Sequence, residues 1–210
     1  MNDAHTRAPL RFTYLALIAI LIGTCVASAA QGKFYIVGMG TAPDLITLRG
    51  VAAIREANIV LLEEPSEKDY WKEFIGNKEV WYCRHSARVG LGLDAKTVED
   101  PDIRAIVEKN AKARQETVDK IRQAVGEGKT VAALEGGDAM IYGTTFYLEL
   151  LPKDFPSEVI PGIGAFQASS AAVKMSPVFG YDTNSVIITM EDWHGRTDAN
   201  EKLMATQTSM

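Results

Sequence analysis

The stretch Phe34-Tyr35-Ile36-Val37-Gly38-Met39-Gly40-Thr41-Ala42-Pro43-Asp44 decides how the rest of the chain is read. Four apolar residues in a row suit a strand buried on both faces, and the two glycines that follow let backbone approach a ligand closely. Leu45, Leu48, Val51, Ala52 and Ile54 then recur at helical spacing as far as Ala57, with Asp44 placed to cap the helix. As a dinucleotide fingerprint the loop fails, because Pro43 stands where G-x-G-x-x-G needs its third glycine.

The same alternation continues outward. Apolar runs at 58–62, 79–83, 130–134 and 158–160 read as strands. Between them, Pro101–Gly126 reads as a long helix with Ile103, Ile106, Val107, Val118, Ile121 and Val125 on one stripe. Residues 141–151 and the small-residue run Ala165–Val173 read as two more helices. This pattern predicts an α/β fold: a mainly parallel sheet with flanking helices on both faces, binding ligands at the carboxyl ends of its strands. After Pro177 only a strand at 185–190 and a polar helix at 198–207 are expected, too little to stand as a domain. The exposed edge of Val186-Ile187-Ile188 would invite pairing with a second chain, so a homodimer is expected.

Composition bounds the function. The 210 residues are 47% hydrophobic and 23% charged, which suits a packed core. A formal net charge of −5, with 22 Lys and Arg against 27 Asp and Glu and no basic stripe, argues against nucleic acid as a partner. No Cys/His cluster has metal-ligand spacing, and no G-x-S-x-G elbow is present.

The first residues read as a targeting segment rather than as part of the fold. Arg7 and Arg11 precede an uncharged run over 12–30, and Ala27-Ser28-Ala29 has the small-x-small form that signal peptidase accepts. Residues 1–29 are therefore expected to be a signal peptide and the protein to be exported, in a bacterium to the periplasm. An uncleaved run over 12–30 would instead anchor the chain to a membrane, the one route to membrane contact. Cys25 in a lipoprotein signal is a third reading, weakened by Thr24 before it. Loss of residues 1–29 leaves Cys83 as the single cysteine, so no internal disulfide is expected.

Two further glycine loops follow strands: Gly136-Gly137-Asp138-Ala139-Met140-Ile141-Tyr142-Gly143 and Pro161-Gly162-Ile163-Gly164-Ala165. Each alone is an ordinary strand-to-helix turn. Taken in order and spacing with Tyr35-Ile36-Val37-Gly38-Met39-Gly40, Asp44-Leu45-Ile46-Thr47-Leu48-Arg49-Gly50 and Ala57-Asn58-Ile59-Val60, they resemble the tetrapyrrole methylases, from Lys33 to about Val173. That family includes the uroporphyrinogen-III and precorrin methyltransferases. The resemblance implies an N-terminal α/β domain at 30–155, the start of a second α/β domain at 156–210, and S-adenosylmethionine as methyl donor in the cleft between them. The acceptor it implies is a tetrapyrrole or another small molecule.

Carried onto this chain, the resemblance assigns cofactor binding to Thr41, Gly136, Gly137, Asp138, Ile141, Gly164 and Ala165. It assigns proton acceptance to Glu63, at the end of the second strand. Arg84 stands at the end of the third strand, where the family has a proton-donating lysine. Arginine stays protonated at any working pH, so Arg84 is expected to pair with substrate carboxylates, with His85 as the titratable neighbour. Such methyl transfer needs alignment, exclusion of water and one base, without a metal or a protein nucleophile.

The family's second domain extends beyond the position of Met210, and S-adenosylmethionine is kept in the cytoplasm. The chain is thus expected to be a piece of a longer methylase or an exported, non-catalytic relative that keeps the cleft for a small anionic ligand. Export has a direct test: mass spectrometry of the protein from its native host is expected to find Ala30 at the N-terminus. Soluble cytoplasmic protein that still begins at Met1 would contradict it.

Overall fold

A computed structural model describes residues 31–83, 90–143, 146–178 and 186–188. Among these, five strands form one sheet: β1 (Phe34–Gly38), β2 (Ile59–Leu62), β3 (Glu79–Tyr82), β4 (Val131–Glu135) and β5 (Ser157–Ile160). The order is β3-β2-β4-β1-β5 and every pairing is parallel. The sheet runs past the domain boundary expected at residue 155, since β5 pairs with β1 along its length.

Every residue of β1, β2 and β4 is buried, as strands covered on both faces must be. The period of two sends alternate side chains to two separate cores. Phe34, Ile36, Ile59, Leu61, Val131 and Ala133 pack on one face; Tyr35, Val37, Val60, Leu62, Ala132 and Leu134 pack on the other. The first face is covered by helix α4 (Pro101–Gly126) and helix α5 (Phe146–Leu150), where Phe34 and Tyr147 meet edge-on at 5.3 Å between ring centres. The second is covered by α1 (Leu48–Glu56) and by Trp71 and α3 (Lys72–Ile75), through Ala53, Ile54, Trp71 and Ile75, while the short helix α2 (Ser66–Tyr70) before Trp71 buries no residue. A sixth helix, α6 (Ala165–Val173), follows β5 and buries no residue.

Three expectations are corrected. Helix α1 begins at Leu48 rather than Leu45: Pro43–Leu45 form a 3-10 turn, and Thr47 rather than Asp44 is the cap, its Oγ1 accepting from Gly50 N at 3.0 Å. Residues 141–143 are not helical, so α5 is shorter than expected. The Asp138 carbonyl accepts from Ile141 N at 3.2 Å and Tyr142 is left-handed at φ 58°, which diverts the chain from helix. Ile103 and Ile106 are about half exposed, and the buried stripe of α4 runs through Val107, Asn110, Arg114, Val118, Ile121 and Val125. Arg104, which reaches back to Val98 O, belongs to the same exposed first turns.

Parallel register explains how the glycine loops meet. Gly38 lies opposite Glu135 and Val37 opposite Ile160, so β1, β4 and β5, adjacent in the sheet, release their chains level with one another. The loops then touch through backbone. Gly40 N donates to Gly137 O at 3.1 Å and Gly137 N to Gly40 O at 2.9 Å, an antiparallel bridge beyond the sheet. Glycine at 38 and 162 is a steric need: a Cβ on Gly38 would lie 2.8 Å from Gly162 Cα, and one on Gly162 would overlap Gly137 O. At 40 and 137 the need is conformational, with φ near 75° and 71°.

Residues 1–30, which carry the expected signal peptide or anchor, lie outside the described residues, as do Arg84, His85 and most of the expected strand and helix after Pro177. Among the described residues no helix is long and apolar enough to cross a membrane. The loop packing generates a prediction. Gly162→Ala is expected to lower unfolding free energy by about 1–3 kcal/mol, through overpacking against backbone that cannot yield. Gly136→Ala, whose Cβ meets no atom within 4 Å, is expected to be within about 0.5 kcal/mol of the parent. Urea unfolding of the two variants side by side checks both.

Candidate functional site

The converging loops open on a cleft of about 790 Å³ at the carboxyl ends of the strands. All seven residues expected at the cofactor line it: Thr41 from the first loop, Gly136, Gly137, Asp138 and Ile141 from the second, Gly164 and Ala165 from the third. Positions more than 120 residues apart in sequence are brought together because their strands are neighbours.

Asp138 ties the loops to one another. Its Oδ1 accepts from Met140 N at 2.8 Å and its Oδ2 from Gly162 N at 3.3 Å, so one carboxylate shapes its own loop and reaches the third. The next residues turn outward. Ile141 and Tyr142 are about half exposed and both line the cleft. Gly136 presents bare backbone there, with nothing from the protein in the direction a Cβ would take.

The expected catalytic residues are less fully placed. Glu63 directly follows β2 and is half-buried, but it is not among the residues lining the cleft. Its backbone N–H donates to Glu67 Oε2 at 2.8 Å, and Glu67 does line the cleft. Arg84 and His85 fall outside the described residues.

Sequence reasoning missed part of the wall. Ser66, Glu67, Tyr70 and Trp71, from α2 and the turn into α3, line the cleft, as do Phe166 and Gln167 of α6. The signal available was position alone, since the 66–71 segment directly follows the carboxyl end of β2, where α/β sheets bind ligands.

A second polar group lies beneath the cleft, on the α4 side of the sheet. Glu135, the last residue of β4, is buried, as are Cys83 and Tyr147. Burial pushes the Tyr147 phenol well above its ordinary range, and the charge of Glu135 acts in the same direction. Burial also raises the Cys83 thiol, against a hydrogen bond from Thr117 Oγ1 at 3.5 Å. A buried thiol so raised is a poor nucleophile. Among the described residues no cluster of His, Cys, Asp or Glu is arranged to hold a metal ion.

The chain is 31% identical over 149 residues to a siroheme synthase of Hydrogenovibrio crunogenus, a match that covers 66% of this chain and 26% of that protein. It is 28% identical over 173 residues to a cobalt-precorrin-4 C(11)-methyltransferase of Methanocaldococcus jannaschii, covering 81% of this chain and 56% of that one. The chain thus spans only part of the length of these relatives. Among solved structures, a cobalt precorrin-4 methyltransferase superposes with a TM-score of 0.58 at 23% identity, over 81% of this chain and 62% of that one, which shows a shared fold. The family model of the tetrapyrrole (corrin/porphyrin) methylases matches residues 33–210, and with that match over the stretch that builds the sheet and its three glycine loops, the chain belongs to that family.

Proposed function

We propose that the chain binds S-adenosylmethionine in the cleft between the three glycine loops and transfers its methyl group to a tetrapyrrole or a related small acceptor. The observation that carries this reading is the meeting of Thr41, Gly136, Gly137, Asp138, Ile141, Gly164 and Ala165 on one cleft. A bare backbone surface at Gly136, in a cleft that Ile141 and Phe166 also line, fits a flat and partly apolar ligand that approaches the main chain closely.

When bound, S-adenosylmethionine supplies an electrophilic methyl group on a sulfonium sulfur. The protein has to align that methyl group with the acceptor and keep water out, which rigid loops do best. Asp138 acts here as a positioning residue: by bonding both Met140 N and Gly162 N it fixes the second and third loops relative to each other. Glu63 is proposed to take the proton that the acceptor carbon loses as the new carbon–carbon bond forms, and Arg84 to pair with acceptor carboxylates. Support for both is the family resemblance and, for Glu63, its place directly after β2.

Isothermal titration of the full chain with S-adenosylhomocysteine tests the reading. The parent is expected to bind. Gly136→Ala is expected to weaken binding at least about tenfold with unchanged stability, because its Cβ enters the space the ligand needs. Asp138→Ala is expected to weaken binding and to cost about 1–2 kcal/mol of stability through the two amides it leaves without their acceptor. A parent that does not bind, or variants that bind as the parent does, would contradict the assignment.

A further inference from the structure

One part of the cleft wall has no role in cofactor binding or proton transfer as proposed above. The segment Ser66–Trp71 contributes Ser66, Glu67, Tyr70 and Trp71, and it is built to hold one aromatic ring still. Trp71 is buried at 6% exposure in the core beneath α1 and α3. Its backbone is fixed on both sides, Trp71 N donating to Glu67 O at 2.9 Å and Trp71 O accepting from Phe74 N and Ile75 N at 2.9 and 3.1 Å. Tyr70 stacks edge-on against this indole, with ring centres 4.6 Å apart and planes at 82°. Yet Tyr70 itself is 54% exposed and lines the cleft. An exposed ring on a rigid base is a prepared stacking surface, since little entropy remains to be lost when a ligand ring lies on it.

The rest of the lining points to the same ligand chemistry. Tyr70, Trp71, Tyr142 and Phe166 line the cleft in a chain that is only 8% aromatic, so conjugated ring surface is concentrated there. The segment is also joined to the expected proton acceptor. Glu67 Oε2 accepts from Glu63 N at 2.8 Å and from Glu64 N at 3.2 Å, which ties the turn carrying Glu63 to the helix that carries Tyr70. Tyr70 therefore stands on a helix tied to the turn that carries Glu63, although Glu63 itself does not line the cleft. The seven residues expected at the cofactor all belong to the glycine loops and none to this segment.

We infer that Tyr70 is a binding residue for the methyl acceptor, its ring stacking on a flat pyrrole-type ring of that molecule. This rests on the proposed methyltransferase reading for the identity of the second ligand. Two probes separate the acceptor from the adenine of the cofactor: uroporphyrin III, followed by its Soret absorbance and by quenching of protein fluorescence, and S-adenosylhomocysteine, followed by calorimetry. The full chain is compared with Tyr70→Ala, Tyr70→Leu and Tyr70→Phe. Leucine keeps apolar bulk over Trp71 without a ring face, so it reports even if the alanine variant folds poorly.

Both ring-less variants are expected to weaken uroporphyrin binding about five- to tenfold, and Tyr70→Phe to stay within about twofold of the parent. S-adenosylhomocysteine affinity is expected to stay within about twofold in all three. A parent that takes up no uroporphyrin overturns the inference, as do ring-less variants that bind it like the parent. A parallel loss of S-adenosylhomocysteine affinity also overturns it, by assigning Tyr70 to the cofactor or to the fold. If the parent binds uroporphyrin with the expected dependence on Tyr70 but does not bind S-adenosylhomocysteine, the methyltransferase reading fails while the ring-binding role of Tyr70 stands.

Discussion

The backbone contact between Gly38, Gly162 and Gly137 is the constraint on which the cleft depends. Three strands that are neighbours in the sheet release their chains at one level, and side chains at the crossing points would force those chains apart. With glycine there, the loops come close enough for Gly40 and Gly137 to exchange two hydrogen bonds and for Asp138 to reach Gly162 N. The cleft walls are thus held by main chain, which has few alternative positions, rather than by long side chains with many. That is a suitable base for chemistry that depends on alignment.

Sheet order makes this contact possible. Because β4 inserts between β2 and β1, and β5 adds on the far side of β1, loops that are far apart in sequence end up side by side. The cores on the two faces then fix the sheet, with the long α4 and its partner α5 on one side and α1, Trp71 and α3 on the other. The same arrangement divides the labour around the cleft. Glycine loops come from the β4-β1-β5 half, and the aromatic segment comes from the turn after β2.

Much of this was legible in the chain itself. Buried parallel strands announce themselves as short apolar runs, and Phe34 to Val37 and Val131 to Leu134 are such runs. Pro101–Gly126 was likewise expected as one long helix, and Asp100 caps its start by accepting from Asp102 N and Ile103 N. What periodicity could not show was local competition. The 3-10 turn at Pro43–Leu45 delays α1, and the turn at Asp138 with left-handed Tyr142 delays α5. Nor could an apolar stripe reveal that Asn110 and Arg114, polar residues between Val107 and Val118, are buried on α4. Arg114 is accommodated beside Glu149, whose charge works against the lowering of its pKa by burial. The aromatic wall was hidden for a related reason: Ser66–Tyr70 is short and mostly polar, so nothing in its pattern distinguishes it from a surface turn.

The three glycine loops are proposed to act as a single ligand-binding surface. Backbone amide chemical-shift mapping by NMR during titration with S-adenosylhomocysteine tests it most directly. The account predicts that the amides of Gly40, Thr41, Gly136, Gly137, Asp138, Gly162 and Gly164 shift together and saturate at the same ligand concentration. Shifts confined to one loop, or lying elsewhere on the molecule, would contradict it.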